Sequence, residues 1–351
     1  MITPLAESDL MPAIPKDCAT PKLFLIKRNG LSDKINIFRT FSVNKIDPVV
    51  LQIPSQQTFN NASIDSCHKN NYHNSKKRKR VMLMKFALIQ MPVTKDKQEN
   101  LQTAREYISR AAAAGARVAI LPEMFCCPYS NSAFPVFAEE AGGMLCTALA
   151  QTAKENGLTL VAGSIPERCG DHLYNTSFVF DENGCQIARH RKIHLFDAHI
   201  DGGQHFRESA VLSPGCEPTI FTVDGIRIGL CICFDIRFPE LFRTMALEGA
   251  QAVIVPAAFN MTTGPLHWEL SFRMRAVDNQ LFTLGVAPAR DTARSYVSYA
   301  NSIVCSPWGT PIACAGTEPG LLVVDVDFDE VSRVRRQLPL LSARRPDVYR
   351  S

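Results

Sequence analysis

From residue 84 onward, short apolar runs alternate with segments whose apolar residues recur at helical spacing, and that alternation limits the chain to an α/β fold. Residues 85–91 (KFALIQM) are strand-like, and Leu101, Ala104, Ile108 and Ala111 then share one helical face that ends near Gly115. Residues 117–121 predict a short strand, a helix lies around 148–156, and further strands follow at 158–163 and 174–180. After a long loop over 193–215 come strands at 226–233 and 252–256, then late strands around 281–287, 302–305 and 321–326. Residues 84–351 therefore read as one domain without internal repeats, at the upper end of what a single core supports.

Upstream of residue 84 this pattern disappears. The segment from Gln56 to Asn74 is rich in Asn, Ser and Gln, and it leads into the run Lys76-Lys77-Arg78-Lys79-Arg80. The net charge of +4 divides unevenly: residues 1–83 hold thirteen Lys and Arg against six Asp and Glu, a net +7, which leaves −3 for residues 84–351. A mildly acidic domain is not a dedicated nucleic-acid binder, and any such affinity belongs to the leader. The basic run has three readings: a nuclear-localisation or nucleic-acid patch, a solvated linker, or a purine-rich ribosome-binding sequence translated in frame ahead of Met82 or Met84. The last is preferred here, so residues 1–83 are expected to be a disordered or misannotated extension.

No apolar run approaches the roughly 18–20 residues a membrane helix needs. The twelve cysteines are scattered behind an N-terminus with no apolar signal core, which favours reduced thiols in the cytoplasm over a disulfide scaffold. Cys126 and Cys127 are adjacent and Cys231 and Cys233 are two apart, so neither pair has structural-zinc spacing. His190, His194, His199 and His205 lie close together, but none of their spacings sets two imidazoles on one helical face, and no metal or cofactor is expected.

Three polar residues stand where apolar runs end, the place where α/β proteins keep their sites. Glu123 follows Val118-Ala119-Ile120-Leu121-Pro122, Lys192 lies in His190-Arg191-Lys192-Ile193-His194, and Cys233 follows Ile228-Gly229-Leu230-Cys231-Ile232. Singly they read as a cap, a solvated charge and a small buried hydrophobe. Together they supply a thiol nucleophile, a carboxylate to take its proton and a cation for an oxyanion, which suffices for acyl transfer through a thioester.

The segments Leu121-Pro122-Glu123, Arg191-Lys192-Ile193-His194-Leu195-Phe196-Asp197 and Gly229-Leu230-Cys231-Ile232-Cys233-Phe234-Asp235-Ile236-Arg237-Phe238-Pro239-Glu240 resemble, in order, the three signature motifs of the nitrilase superfamily of carbon–nitrogen hydrolases. That resemblance covers essentially residues 85–350. It implies a four-layer α-β-β-α sandwich, commonly a homodimer or larger homo-oligomer assembled through the helix after the nucleophile, here 238–249. It further implies Cys233 as nucleophile, Glu123 as general base and acid, Lys192 and the Phe234 backbone N–H as stabilisers of the tetrahedral intermediate, and Glu208 as a second glutamate that positions the others. Cys231, on the same side of an extended strand as Cys233, is expected to pack beneath the site.

Within the superfamily, the stretches Phe259-Asn260-Met261-Thr262-Thr263-Gly264-Pro265, Arg275-Ala276-Val277-Asp278-Asn279-Gln280 and Ala287-Pro288-Ala289-Arg290 resemble the omega-amidases. The resemblance implies hydrolysis of the terminal amide of small dicarboxylate monoamides such as 2-oxoglutaramate and 2-oxosuccinamate. Arg237 is then the cation for the far carboxylate, since a guanidinium binds that group in two-pronged fashion, although a structural pair with Asp235 or Glu240 is the alternative. Tyr129 and Thr263 match substrate contacts, Phe259 walls the pocket, and residues 198–206, with Gly202 and Gly203, form a lid. Other readings are a related amidase acting on deaminated glutathione or an N-carbamoyl amide, and an inactive interaction protein on the same fold. Membrane and nucleic-acid partners are not expected.

Overall fold

The computed structural model describes residues 82–349. The leader expected over residues 1–83, including the basic run at 76–80, lies outside the described residues except for Met82 and Leu83. Those two belong to the fold: Leu83 pairs with Asp327, and the Met82 carbonyl accepts the Phe328 N–H at 3.0 Å.

The chain builds a first sheet from β1 (Leu83–Gln90), β2 (Val118–Ile120), β3 (Glu139–Glu140), β4 (Thr159–Val161), β5 (Ile165–Cys169), β6 (His172–Phe180) and β7 (Gln186–Arg191). A separate hairpin follows, β8 (Asp197–His199) with β9 (His205–Arg207). The second sheet comprises β10 (Thr219–Val223), β11 (Ile226–Leu230), β12 (Ala252–Pro256), β13 (Phe282–Val286), β14 (Ile303–Cys305) and β15 (Pro311–Cys314), in that spatial order. The last strand, β16 (Gly320–Asp327), returns to the first sheet and pairs antiparallel with β1 along its whole length, giving the order β16-β1-β2-β4-β6-β5-β3 with β7 on β6.

Period-two alternation in the buried strands makes the layers. In β1, Ala87 and Ile89 face the helices α1 (Lys97–Ala113) and α3 (Met144–Asn156), while Phe86 and Leu88 face the second sheet. The inner faces meet through Phe86, Ile120, Ile228, Ile254 and Leu284. On the far side, Val253 and Val255 of β12 pack on α4 (Pro239–Leu247) and α5 (Gly264–Asn279) through Phe242, Met245, Trp268 and Phe272. Helix, sheet, sheet and helix are stacked in that order, the four-layer α-β-β-α sandwich expected from the motifs. A short α2 (Phe134–Phe137) and a late α6 (Asp329–Gln337) complete the described helices.

Caps fix the long helices locally. Asp96 accepts the Gln98 and Glu99 N–H groups at the start of α1, and Gly157, at φ 61°, ends α3 in the left-handed conformation. Two expectations change. The strand expected over 226–233 stops at Leu230, because Cys233 adopts φ 46° and opens a 3-10 turn, Cys233–Arg237. The loop expected over 193–215 contains the β8–β9 hairpin and a second 3-10 turn, Glu208–Ala210.

Candidate active site

Glu123, Lys192, Glu208 and Cys233 come from four separate segments and meet at one end of the sandwich, all of them buried. Glu123 leaves the end of β2 through Pro122 and is followed by Met124 at φ 51°. The turn is held from the β4–β5 connection, where the Ser164 hydroxyl accepts the Met124 N–H at 3.0 Å. Gly163 lies so close that a Cβ there would sit 2.1 Å from the Pro122 carbonyl oxygen. Lys192 follows β7; its N–H donates to the Asn175 carbonyl and its own carbonyl accepts from Gly215, both at 2.8 Å. Cys233 sits at the tight turn after β11, and a non-glycine residue there at positive φ is a strained conformation of the kind that exposes a reacting atom.

The Lys192 ammonium is the hub. It donates to Glu123 Oε1 at 3.0 Å and to Glu208 Oε1 at 2.9 Å, with the Tyr129 hydroxyl 3.4 Å away. Tyr129 in turn donates to Glu208 Oε1 at 2.6 Å, and Glu208 Oε2 accepts the Phe196 N–H at 2.6 Å. Asn175 donates to Glu123 Oε1 at 2.8 Å. The other oxygen, Glu123 Oε2, is buried with no hydrogen-bond partner, and the Cys233 thiol is a neighbour of that carboxyl. The carboxylate is thus turned so that one oxygen is saturated and one is left for a proton from sulfur.

Burial and electrostatics set the protonation states. Desolvation pushes the Glu123 carboxyl above the usual glutamate range, with Lys192 opposing and Glu208 adding to the rise. Burial alone would lower the Lys192 ammonium, but the two carboxylates more than offset it and keep the lysine charged. Burial, reinforced by the Glu123 carboxylate, drives the Cys233 thiol well above its ordinary value, so in the resting site the sulfur carries its proton. Cys231 is fully buried in the cluster beneath the site, with its thiol pushed up by the same desolvation.

A small cavity of about 10 Å³ adjoins Cys233 and is lined by Phe234, Arg237, Phe259, Asn260 and Thr263. Arg237 is half-buried, and neither Asp235 nor Glu240 pairs with it. Its guanidinium reaches His267 Nδ1 at 3.0 Å and lies 4.9 Å from the Phe259 ring centre, and burial lowers its pKa. Thr263 caps the loop before α5, where its N–H and that of Thr262 both donate to Asn260 Oδ1 at 2.9 Å. Tyr129 has its ring in the cavity wall and its hydroxyl in the Glu208–Lys192 cluster.

The structure adds two groups that the sequence reading passes over, Asn175 and Tyr296, and gives Asp235 a different partner from the one weighed for it. Asn175 orients Glu123, and nothing in the alternation of its strand marks it out. Tyr296 lines the cavity, with its ring centre 4.6 Å from that of Tyr129. Asp235, fully buried, accepts from His190 Nε2 at 3.1 Å, His194 Nδ1 at 2.8 Å, the His194 N–H at 2.9 Å and the Ile232 N–H at 3.0 Å. Burial would raise the Asp235 carboxyl, but the two imidazoles outweigh it and hold it well below the usual range. His190 and His194 flank Lys192, so Asp235 ties the lysine segment to the nucleophile turn. The spacing of the two histidines about Lys192 was the available signal. No group of three or more metal-type ligands forms among the described residues.

Residues 85–336 match the carbon–nitrogen hydrolase family, and the chain belongs to it. It is therefore a hydrolase of carbon–nitrogen bonds on the nitrilase-superfamily fold. Among particular proteins, it is 44% identical over 265 residues to omega-amidase NIT2 of Danio rerio, covering 76% of this chain and 96% of that protein. The chloroplastic omega-amidase of Arabidopsis thaliana is 41% identical over 333 residues, covering 91% of this chain and 90% of that one, so this similarity extends upstream of Met82. Among solved structures, Saccharomyces cerevisiae Nit3 superposes with a TM-score of 0.69 at 36% identity, over 76% of this chain and 97% of Nit3. A mutant of an amidase from Nesterenkonia sp. AN1, with a TM-score of 0.63 at 28% identity over 76% of this chain and 95% of its own, carries the acetamide moiety of fluoroacetamide covalently on its active-site cysteine.

Proposed function

We propose that the protein releases ammonia from the terminal amide of small dicarboxylate monoamides, with 2-oxoglutaramate and 2-oxosuccinamate as the type substrates. The observation that carries this reading is Arg237, a half-buried guanidinium without a carboxylate partner among the described residues, facing the cavity that adjoins Cys233. A buried cation in that position is satisfied by an anionic group on the substrate. The similarity to omega-amidases supports the same substrate class.

In the proposed mechanism Cys233 Sγ attacks the amide carbonyl as Glu123 takes the thiol proton. Lys192 and the Phe234 N–H stabilise the oxyanion in a buried, low-dielectric site. Glu123 then protonates the departing nitrogen, which leaves as ammonia with a thioester on Cys233. A water deprotonated by Glu123 cleaves that thioester, releasing the carboxylic acid and restoring the thiol. Glu208 keeps Lys192 and Tyr129 in place, and Thr263 and Phe259 bound the acyl chain. Every proton in this scheme moves between groups of the chain, the substrate and water.

The selectivity of Arg237→Ala tests the reading. Losing one charge-assisted contact of about 1.5–3 kcal/mol lowers kcat/KM for 2-oxoglutaramate by roughly 10- to 150-fold relative to a neutral amide of equal length. An equal loss on both amides would contradict it. A second reading, a longer anionic amide such as deaminated glutathione, is favoured by the outer cavity of about 360 Å³ whose lining includes Lys95 and Arg294. A kcat/KM for deaminated glutathione above that for 2-oxoglutaramate would select it.

We further propose a cytoplasmic homodimer. Supporting it, α5 exposes Leu266, Leu270 and Met274 (71%, 64% and 46% accessible) along one stripe, and α4 exposes Leu247.

A further inference from the structure

The space around the site is divided. The inner cavity of about 10 Å³ holds Cys233 and Arg237, and the outer cavity of about 360 Å³ holds Glu123 with Lys95 and Arg294. Only Tyr129, Ala258 and Tyr296 line both. Of these three, Ala258 contributes little side chain, and Tyr129 is fixed by its hydrogen bond to Glu208. Tyr296 is the one bulky part of the partition that bonds to none of Glu123, Lys192, Glu208 and Cys233. Its hydroxyl donates to the Ala258 carbonyl, and its ring lies at 31° to Tyr129.

We infer that Tyr296 sets the length of acyl chain the enzyme accepts, by closing the inner cavity towards the outer one. The inner space admits roughly one water, so even a short acyl chain reaching Arg237 needs its wall to yield, and any further methylene has to extend past the tyrosine ring. With the ring gone the two spaces join, and the carboxylate of a longer monoamide can run out towards Lys95 and towards Arg294, which pairs with Asp291 at 2.8 Å. At the tip of the β8–β9 hairpin, Gly203 packs so closely on the loop before α5 that a Cβ would stand 2.9 Å from Thr262 Cγ2. This inference rests on the acyl-pocket reading given above and adds the residue that limits it.

The test is a ladder of terminal monoamides of dicarboxylic acids from four to eight carbons, run beside neutral linear amides of the same lengths. In the wild type kcat/KM falls steeply with each carbon past the shortest acids. In Tyr296→Ala the ratio of the longest to the shortest monoamide rises by about tenfold or more, the scale of discrimination a few methylenes give in a tight pocket. Tyr296→Phe, which keeps the ring, retains the wild-type cutoff. Affinities of Cys233→Ala with and without Tyr296→Ala read the same ladder without turnover, so a slow double variant does not obscure the result. An unchanged ladder in folded Tyr296→Ala overturns the inference. If the wild type prefers the neutral ladder throughout, the anionic-substrate reading fails, whereas a cutoff on the neutral ladder that moves with Tyr296 still supports the inference and a fixed one overturns it.

Discussion

Lys192 has no exposed surface and is held by two carboxylates, so the site depends on it both for charge balance and for chemistry. Lys192→Ala leaves Glu123 and Glu208 buried without a cation, and the expected cost is about 3–5 kcal/mol in denaturant unfolding together with loss of turnover. The raised Glu123 carboxyl makes a pH prediction. Glu123 accepts the thiol proton only when ionised, so kcat/KM falls as pH drops through its raised value, and the acid limb lies above the ordinary glutamate value of 4.5. Glu123→Gln removes that limb and lowers the rate by roughly 10²–10⁴; a limb at or below 4.5 in the wild type would contradict the assignment. At this scale the sequence was informative where chemistry ends a strand. Glu123, Lys192 and Cys233 stand out because each polar group follows an apolar run, and the structure brings all three together. Asn175 lies inside β6, where its bond to a glutamate 52 residues away leaves no local trace.

The elements position these residues by close backbone approach. Gly163, at φ 54° and against the Pro122 carbonyl, lets the β4–β5 connection brace the glutamate turn. Gly163→Ala is both sterically blocked and conformationally strained, so it should lower kcat far more than it raises KM, with the transition temperature reporting any wider damage. Loss of stability with kcat intact would show that the turn tolerates displacement. Strands β1, β12 and β13 were legible because buried strands are short continuous apolar runs, and the half-buried β16 because its residues 321–324 form such a run too. The end of β11 was not, because Cys231 and Ile232 extend the apolar run while the last bond to β12 is the Cys231 N–H on the Ile254 carbonyl and the chain turns at Cys233. The β8–β9 hairpin was likewise read as loop: its strands are three residues each and carry exposed histidines.

For the whole molecule, two matters lie beyond one folded chain. The α5 stripe predicts that Leu270→Glu shifts sedimentation from dimer towards monomer; a wild type that sediments as a monomer would contradict the assembly. The second concerns the beginning of the polypeptide. A start at Met82 retains every pair of β1, whereas a start at Met84 loses Leu83 against Asp327. Similarity to the chloroplastic omega-amidase extends upstream of both. Mass spectrometry of the native N-terminus distinguishes these starts from one further upstream, which a peptide from residues 1–75 would establish. The four-layer architecture itself followed from the motifs and their order, while composition and periodicity alone gave only an α/β domain.

The central claim is that Cys233 and its neighbours hydrolyse the amide of a small dicarboxylate monoamide. Ammonia release from 2-oxoglutaramate, measured on the wild type, Cys233→Ala and Cys231→Ala, tests it most directly. The account predicts turnover in the wild type, none in Cys233→Ala and most of it in Cys231→Ala. No ammonia from the wild type, or undiminished release by Cys233→Ala, would contradict it.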